Sequence, residues 1–217
     1  MQPQQSPGAG LVVHTIISGM FGQNSYVLED PAHGSAVVID PGFGCAEGVG
    51  ALLAASRARL DLILLTHEHF DHIGNLNEIR AANGGQVVAS ASCSAHLTDP
   101  KKNLSAFHGG LCYSAAPADL VVEEMGSTLT WGEHEIRIHG TPGHSDGSIC
   151  IEIKGRLFTG DTLIKDTKTV VKLPGGSKAK LSRTLDFIFS TFPPDTLIYP
   201  GHGKTLPLGA TRKTIHL

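Results

Sequence analysis

The chain has 217 residues, of which 41% are hydrophobic and 17% are charged, and its formal net charge is −3. This balance is typical of a globular protein and excludes a disordered chain, while the length suits one good-sized core. The weak negative charge gives no reason to expect a nucleic-acid partner, and no apolar window is long enough to span a membrane.

Residues 1–10 are rich in Gln, Pro and Gly and lack the basic start and apolar stretch of a secretory signal. We therefore predict a flexible N-terminal leader over 1–10, followed by a single domain over 11–217. The four cysteines are scattered without a Cys-x-x-Cys pair, which indicates free buried thiols in a reducing compartment. These features predict a cytoplasmic protein.

The first half of the chain alternates short strands and helices. Three β-branched stretches separated by turns predict an opening β-meander. An Ala- and Leu-rich helix, a short apolar strand and a second helix follow. The predicted strands are 11–18, 24–29, 36–40, 61–65 and 86–90, and the predicted helices are 45–58, 72–83 and 92–97. Residues 99–118 are irregular, and a loop this long in a compact domain is typically functional.

The second half has a similar make-up. Strand patterns at 120–122, 128–131, 134–139, 149–153, 156–159 and 196–199 accompany one amphipathic helix over 181–192. Two such halves predict one α/β (α+β) domain in which two sheets pack face to face with the helices outside.

The stretch from Leu64 to His72 holds four residues of metal-ligand type, namely His67, His69, Asp71 and His72. It follows a buried strand and opens a helical pattern, so regular structure holds both of its ends. Imidazoles combined with a carboxylate suit zinc, iron or manganese better than calcium. Four donors from one turn would crowd a single small cation. The pattern therefore favours two adjacent metals, or one metal with supporting groups.

Three later stretches share a pattern in which a strand is followed by a glycine and a residue of ligand type. They end in His144, Asp161 and His202. The glycine lets the backbone turn tightly, so the next side chain points away from the strand end. Four ligand-bearing turns at four strand ends predict one shared edge of the sheets, where loop-borne sites gather.

Taken in order, these seven residues resemble the complete ligand set of the metallo-β-lactamase superfamily, and the resemblance extends over roughly 24–203. It implies a four-layer αββα sandwich. It further implies that one metal is held by His67, His69 and His144, that a second is held by Asp71, His72 and His202, and that Asp161 bridges them. Zinc is the expected metal, with iron or manganese as alternatives.

In this superfamily a pair of divalent metals stabilises a hydroxide that attacks the substrate, which implies a metal-dependent hydrolase. Asp71 is the candidate catalytic residue that orients the attacking water or accepts its proton. Asp40 and Thr66 are candidates to support the metal ligands from behind.

Within the superfamily the chain is most similar to glyoxalase II-like hydrolases, which cleave thioesters. The similarity is carried by the stretches at 141–145, 158–163, 173–176 and 199–203. Relatives that act on glutathione thioesters commonly carry a basic residue where this chain has Val170, and longer relatives have an additional C-terminal helical domain. Strict glutathione specificity is therefore not expected.

The lysine-rich segment 165–183 predicts a cationic rim, for which Lys172 and Lys178 are the candidates. Such a rim would bind an anionic carrier such as glutathione, coenzyme A or an acyl carrier protein. Phe107, His108 and Tyr113 of the irregular loop are candidates to cap the pocket. The expected substrate is a small thioester or related ester.

Two other functions stay open on the sequence alone. Persulfide dioxygenases, which bind one iron, resemble the chain at 141–147 but usually lack the Gly-His-Gly element found at 201–203. A non-catalytic binding module on the same fold is the further alternative, although such modules usually lose metal ligands that this chain retains.

Overall fold

The computed structural model of the chain describes residues 10–123, 125–165 and 167–211. Nearly all of the predicted leader, and the last six residues of the predicted domain, 212–217, therefore lie outside the described residues.

The first sheet takes its six strands from the N-terminal half, in sequence order. They are β1 (Val12–Ile17), β2 (Asn24–Asp30), β3 (Ser35–Ile39), β4 (Arg59–Leu64), β5 (Gln86–Ser90) and β6 (Leu120–Val122). The first three strands form the predicted antiparallel meander. The next three add in parallel, because longer crossovers with helices separate them.

The second sheet takes its six strands from the C-terminal half, again in sequence order. They are β7 (Met125–Trp131), β8 (His134–Gly140), β9 (Ile149–Ile153), β10 (Arg156–Gly160), β11 (Leu197–Pro200) and β12 (Leu206–Pro207). β10 and β11 are parallel because a long helix crosses between them, and the other pairs are antiparallel.

Helices cover the outer faces of the two sheets. They are α1 (Ala46–Ser56), α2 (Phe70–Ile73), α3 (Leu76–Asn83), α4 (Ala91–His96) and α5 (Lys178–Thr191), with short 3-10 turns at Ser105–Phe107 and Leu208–Ala210. No helix in the described part of the chain is long and apolar enough to cross a membrane.

Three apolar layers result from this arrangement. Side chains such as Leu28 and Phe158 fill the space between the sheets. Val49 of α1 belongs to the layer outside the first sheet, and Ile188 of α5 to the layer outside the second. Full burial of one large aliphatic or aromatic side chain stabilises a fold by about 1.5–3 kcal/mol. The predicted αββα sandwich is confirmed.

The single helix predicted over 72–83 is wrong, because the structure has two helices there, α2 and α3. Gly74 lies at the break against the ring of Phe43, and an added Cβ would come within 2.4 Å of that ring. The side-chain oxygen of Asn75 accepts hydrogen bonds from the backbone N–H groups of Gly44 (2.6 Å) and Cys45 (3.1 Å). Tertiary contacts therefore bend the chain although its apolar spacing continues.

Two smaller expectations also need correction. The sequence did not predict β12, which has only two residues. Cys45, Cys93 and Cys150 are free and buried as expected, but Cys112 is exposed.

A buried carboxylate links the two sheets at the end of β2. Asp30 accepts hydrogen bonds from Nε2 of His134 on β8 (2.8 Å) and from Nδ1 of His33 (2.7 Å). Burial opposes the charge on Asp30, but hydrogen bonds from the two imidazoles lower its pKa. The same contact raises the pKa of His33. The link therefore joins an ionised carboxylate to at least one readily protonated imidazole.

Asp30→Asn should lower the melting temperature most strongly in mildly acidic solution. A carboxylate with a lowered pKa contributes stability above its unfolded pKa and loses it as pH falls through the folded value. His33, whose pKa is raised, contributes below its unfolded pKa and loses that contribution as pH rises through the folded value. The difference in Tm between wild type and Asp30→Asn should therefore peak between about pH 4.5 and 6.5. Scanning calorimetry across pH measures this difference, and a pH-independent difference would contradict the link.

Candidate metal centre

Seven side chains of metal-ligand type meet at one edge of the sandwich. The turn after β4 supplies His67, His69, Asp71 and His72, and the ends of β8, β10 and β11 lead to His144, Asp161 and His202. Glycine is required for this approach, since a Cβ on Gly201 would lie 2.2 Å from Oδ1 of Asp161. The structure thus brings together the ligand-bearing turns that the strand-end pattern of the sequence places at one edge.

His67, His69 and His144 form the first ligand group. All three are buried, and one ligand atom of each lies within 4.8 Å of the other two. Nε2 of His144 is 2.8 Å from Nδ1 of His69. Without a cation this contact needs a proton on one of the two nitrogens. A cation would let both lone pairs face it.

Asp71, His72 and His202 form the second group. Oδ2 of Asp71 is 3.4 Å from Nε2 of His202 and 3.8 Å from Nε2 of His72. Asp161 stands between the groups. Its Oδ1 is 3.3 Å from Nε2 of His72, and its Oδ2 is 3.5 Å from Nε2 of His202 and 3.7 Å from Nε2 of His144. A carboxylate in this position can contact cations in both groups.

Two side chains, Thr66 and Asp40, support the first turn from behind. Nδ1 of His67 donates to Oγ1 of Thr66 (3.0 Å), whose hydroxyl donates to Asp40 (2.5 Å). Nδ1 of His72 donates to the same carboxylate (2.9 Å). Each bond fixes the ring proton on Nδ1 and leaves the Nε2 lone pair for the site. Asp40, His67 and His72 also lie close enough to hold a metal, but hydrogen bonds already engage this carboxylate.

Backbone carbonyl groups support two further histidines. Nδ1 of His144 donates to the carbonyl oxygen of Val170 (2.9 Å), and Nδ1 of His202 donates to that of Phe21 (3.1 Å). Both bonds again leave Nε2 free to bind a cation. Sequence reasoning found Asp40 and Thr66 but missed these two supports. Every residue carries a carbonyl, so no residue type signals such a role.

Burial and charge set the protonation of the site. Burial and the neighbouring histidines lower the pKa of His67 well below its ordinary value, and burial and His144 lower the pKa of His69 to about 4. Burial opposes charge on His72, but the nearby carboxylates, Asp161 first, raise its pKa. Burial likewise opposes charge on Asp161, but the positive charge of nearby histidines lowers its pKa. His67, His69 and Asp161 therefore favour the forms that bind metals, whereas His72 must release a proton when a metal binds.

Unpartnered buried atoms indicate that the centre is built for cations. Seven buried side-chain nitrogen or oxygen atoms of the described residues lack a hydrogen-bond partner. Three of these face the other ligands of the centre, namely Nε2 of His67 and His72 and Oδ1 of Asp161. Each unsatisfied buried polar group costs about 1–3 kcal/mol. The donor set therefore fits divalent cations of the zinc, iron or manganese type.

The two predicted rim lysines line a cavity that is linked to the first ligand group through Val170. Lys172 and Lys178 are exposed and line one cavity of about 440 Å³. The wall of this cavity includes Val170, whose carbonyl orients His144. The cavity and the metal centre therefore share one segment of chain.

The three predicted capping residues have different surroundings. The ring of His108 lies 5.0 Å from that of Phe21 and 5.1 Å from that of Phe70. Phe107 is 71% exposed. Tyr113 packs against the apolar layer outside the first sheet, and its hydroxyl accepts a hydrogen bond from the backbone of α3 (3.3 Å). Packing therefore accounts for Tyr113, whereas His108 lies next to the metal-binding turn.

Glu68 connects two of the ligand-bearing turns. It is 1% exposed although it lies between His67 and His69 in sequence. Oε1 contacts Nδ1 of His96 on α4 (3.1 Å), and Oε2 accepts a hydrogen bond from the hydroxyl of Ser145 (2.9 Å). Because Ser145 follows a residue of the first ligand group, this carboxylate fixes the spacing of two turns. Glu68 is not among the site residues predicted from the sequence.

Comparison with known families identifies one match along most of the chain. The family model described as "Metallo-beta-lactamase superfamily" matches residues 18–202. An uncharacterized protein of Mycobacterium tuberculosis is 30% identical over 207 residues, which cover 90% of this chain and 92% of that protein. A probable polyketide biosynthesis zinc-dependent hydrolase, BaeB of Bacillus velezensis, is 27% identical over 191 residues, which cover 84% of this chain and 74% of that protein.

Solved structures agree with this match. The structure of the B3 metallo-beta-lactamase BLEG-1 aligns with a TM-score of 0.84 and 31% identity, covering 91% of this chain and 95% of that one. A protein crystallised in a di-iron-bound form aligns with a TM-score of 0.77 and 27% identity, covering 93% of this chain and 98% of that one. Similar proteins are thus described with zinc and with iron.

Glu68→Ala should weaken metal binding by about tenfold or more, as is typical when a group that positions ligands is lost. Glu68→Gln can still accept from Ser145 and should keep much of the wild-type affinity. Chelator competition measures the affinity, and melting of the metal-free proteins serves as the control for general destabilisation. Equal metal affinity in all three proteins would show that the carboxylate has no positioning role.

Proposed function

We propose, from the premise that this chain belongs to the metallo-beta-lactamase superfamily, that it is a metal-dependent hydrolase acting on a thioester or related ester. The observation that carries the proposal is the pair of ligand groups with Asp161 between them. We assign His67, His69 and His144 to one metal, Asp71, His72 and His202 to the other, and Asp161 to both.

Two divalent cations in these groups would polarise the substrate carbonyl and make hydroxide available near neutral pH. The chain itself holds the donors in place through Thr66, Asp40 and two backbone carbonyls. Asp71 Oδ2 lies 3.4 Å from Nε2 of His202 and is ionised, because nearby histidines lower its pKa against the effect of burial. It can therefore accept a hydrogen bond from the attacking water and orient it.

The lack of a nearby proton donor favours a thioester substrate, because its thiolate leaving group needs little protonation. In hydrolysis the water oxygen bonds to the carbonyl carbon, the carbon–sulfur bond breaks, and the products are a carboxylic acid and a thiol. Four histidines of the centre have a ring proton committed to a support, so these four are not placed to protonate a leaving group. A thiol with a pKa of about 8.5 leaves readily as thiolate and needs little such help.

The cavity beside the first ligand group supports an anionic carrier with an extended arm. Its volume of about 440 Å³ is in the range of small-molecule sites. Its apolar lining includes Leu163, Leu181 and Leu185, and its lysines are Lys168, Lys172 and Lys178. An apolar lining with a cationic rim suits the phosphorylated pantetheine arm of coenzyme A or an acyl carrier protein better than the more polar glutathione.

Other functions are less well supported. A dioxygenase with one iron would not need Asp71 and His202, which complete a second ligand group here. Cleavage of β-lactams is the second candidate, because the similar BLEG-1 protein is a metallo-beta-lactamase. A binding module without turnover would not need two complete ligand groups.

The test of the proposal is a substrate panel with metal analysis. The purified protein should contain about two metal equivalents and hydrolyse acyl-coenzyme A or acyl-glutathione thioesters, and chelation should abolish turnover until zinc, iron or manganese is restored. Asp161→Ala should lose at least one metal equivalent and most of the activity, whereas Asp186→Ala, an exposed acid on α5, should lose neither.

Each contrary outcome has a distinct meaning. Turnover of a β-lactam alone would assign the second candidate. Oxygen uptake with a persulfide and one iron per chain would assign a dioxygenase. Tight binding of a thioester without turnover by the metal-loaded protein would assign a binding module. Retention of both metals and activity by Asp161→Ala would refute the assigned bridge.

Replacing Lys172 and Lys178 together by Gln should raise KM for an acyl-coenzyme A and weaken its dependence on salt, while kcat stays nearly constant. The reason is that rim charges attract an anionic carrier without contacting the reacting atoms. Steady-state kinetics at several salt concentrations measure this effect. Neutral N-acetylcysteamine thioesters are the matched control, and their KM should not change. An unchanged KM for acyl-coenzyme A would refute the rim.

A further inference from the structure

Three rings, two of them exposed, cluster beside the second ligand group. We call Phe21, Phe70 and His108 the aromatic shelf. Their centroids are 5.0 Å apart for Phe21 and His108, 5.1 Å for Phe70 and His108, and 6.0 Å for Phe21 and Phe70. Phe21 is 56% exposed and His108 is exposed, so two of the three rings face solvent.

Backbone hydrogen bonds fix the aromatic shelf to the metal centre. The carbonyl of Phe21 accepts the hydrogen bond that orients His202 (3.1 Å). Phe70 precedes Asp71, and its N–H donates to the carbonyl of Asn103 (2.9 Å), which holds the loop that carries His108. The position of the shelf is therefore set by the same backbone that positions the ligands.

The backbone of Phe21 is in a conformation that aromatic residues rarely adopt. Its φ is 59°, in the left-handed region, which costs about 1–2 kcal/mol for a residue other than Gly. The turn is closed by a hydrogen bond from the N–H of Ser18 to the carbonyl of Gln23 (2.7 Å). Gly or Asn would occupy this position with less strain. A strained residue that also exposes a large apolar ring next to a ligand centre indicates function.

We infer that the aromatic shelf binds the apolar acyl group of the substrate, so that the protein prefers medium-chain or aryl acyl thioesters to acetyl thioesters. This inference rests on the proposed hydrolase function. Val170 in the wall of the lysine-lined cavity accepts a hydrogen bond from His144, whereas Phe21 of the shelf accepts one from His202. A thioester extends in two directions from its carbonyl group. A thioester with its carrier in the cavity and its acyl group on the shelf would have its carbonyl group between Val170 and Phe21, where the ligand groups lie.

Phe21→Asn tests the shelf without disturbing the turn. Asn adopts positive φ readily, and the backbone carbonyl that orients His202 is kept. Phe21→Leu keeps an apolar side chain of smaller area. Phe187→Asn removes a ring of comparable exposure, 39%, from α5. The probes are octanoyl, phenylacetyl and acetyl thioesters of N-acetylcysteamine. This carrier is neutral, so its binding does not depend on the charges of the lysine rim.

In the metal-loaded protein, Phe21→Asn should raise KM for the octanoyl and phenylacetyl thioesters by about tenfold, which corresponds to partial loss of ring burial. KM for the acetyl thioester should change less than about twofold. Phe21→Leu should lie between wild type and Phe21→Asn, and Phe187→Asn should match wild type. An octanoyl-to-acetyl KM ratio that is the same in wild type and Phe21→Asn would overturn the inference.

A binding measurement separates this inference from the proposed function. By calorimetry, the metal-loaded wild-type protein should bind octanoate more tightly than acetate, and Phe21→Asn should lose that preference. If no thioester is hydrolysed but the preference depends on Phe21, the proposed function fails and the shelf stands. If thioesters are hydrolysed and the preference does not depend on Phe21, the shelf fails alone. Loss of metal from Phe21→Asn would overturn the inference, because it would show that the ring serves to position a metal ligand.

Discussion

The centre depends on one constraint, which is that a buried imidazole needs a partner for each of its two nitrogens. In four histidines the fold supplies a partner for Nδ1 and turns Nε2 toward the other ligands of the centre. The supplied partner is a side chain for His67 and His72 and a backbone carbonyl for His144 and His202. Since each support fixes both the tautomer and the plane of its ring, the remaining lone pairs converge before any cation binds.

Polar contacts from the first sheet hold one ligand-bearing turn of the second sheet in place. Asn24, at the start of β2, donates from its side-chain amide to the carbonyl groups of Pro200 (3.0 Å) and Gly203 (2.8 Å). The hydroxyl of Tyr26 donates to the same proline carbonyl (2.6 Å). The first sheet thus holds the turn of the second sheet that carries His202. The apolar layer between the sheets sets the distance between them, and these polar contacts fix the position of the turn that carries His202.

The strands, the αββα layers and the meeting of the ligand-bearing turns could be predicted, because alternation and glycine placement are local signals. The break at Gly74 could not, since it depends on a ring thirty-one residues earlier in the chain, Phe43. The supports at Val170 and Phe21 use backbone carbonyls, which no residue type reveals. The sequence leaves Tyr113 open as a capping residue or an ordinary packing residue, and its position in the fold packs it against the apolar layer.

A comparison of the two His–Asp clusters shows what distinguishes a metal centre from a structural link. Asp30 contacts His33 and His134 at 2.7 and 2.8 Å, which are hydrogen-bond distances, so its carboxylate has direct partners. Oδ1 of Asp161 is 3.3 Å from Nε2 of His72, and Oδ2 of Asp161 is 3.5 Å from Nε2 of His202. Two ligand atoms bound at about 2.0–2.1 Å to one tetrahedral cation are separated by about 3.3 Å. The second cluster is therefore spaced for a cation between its members, and its unpartnered atoms are the consequence of that spacing.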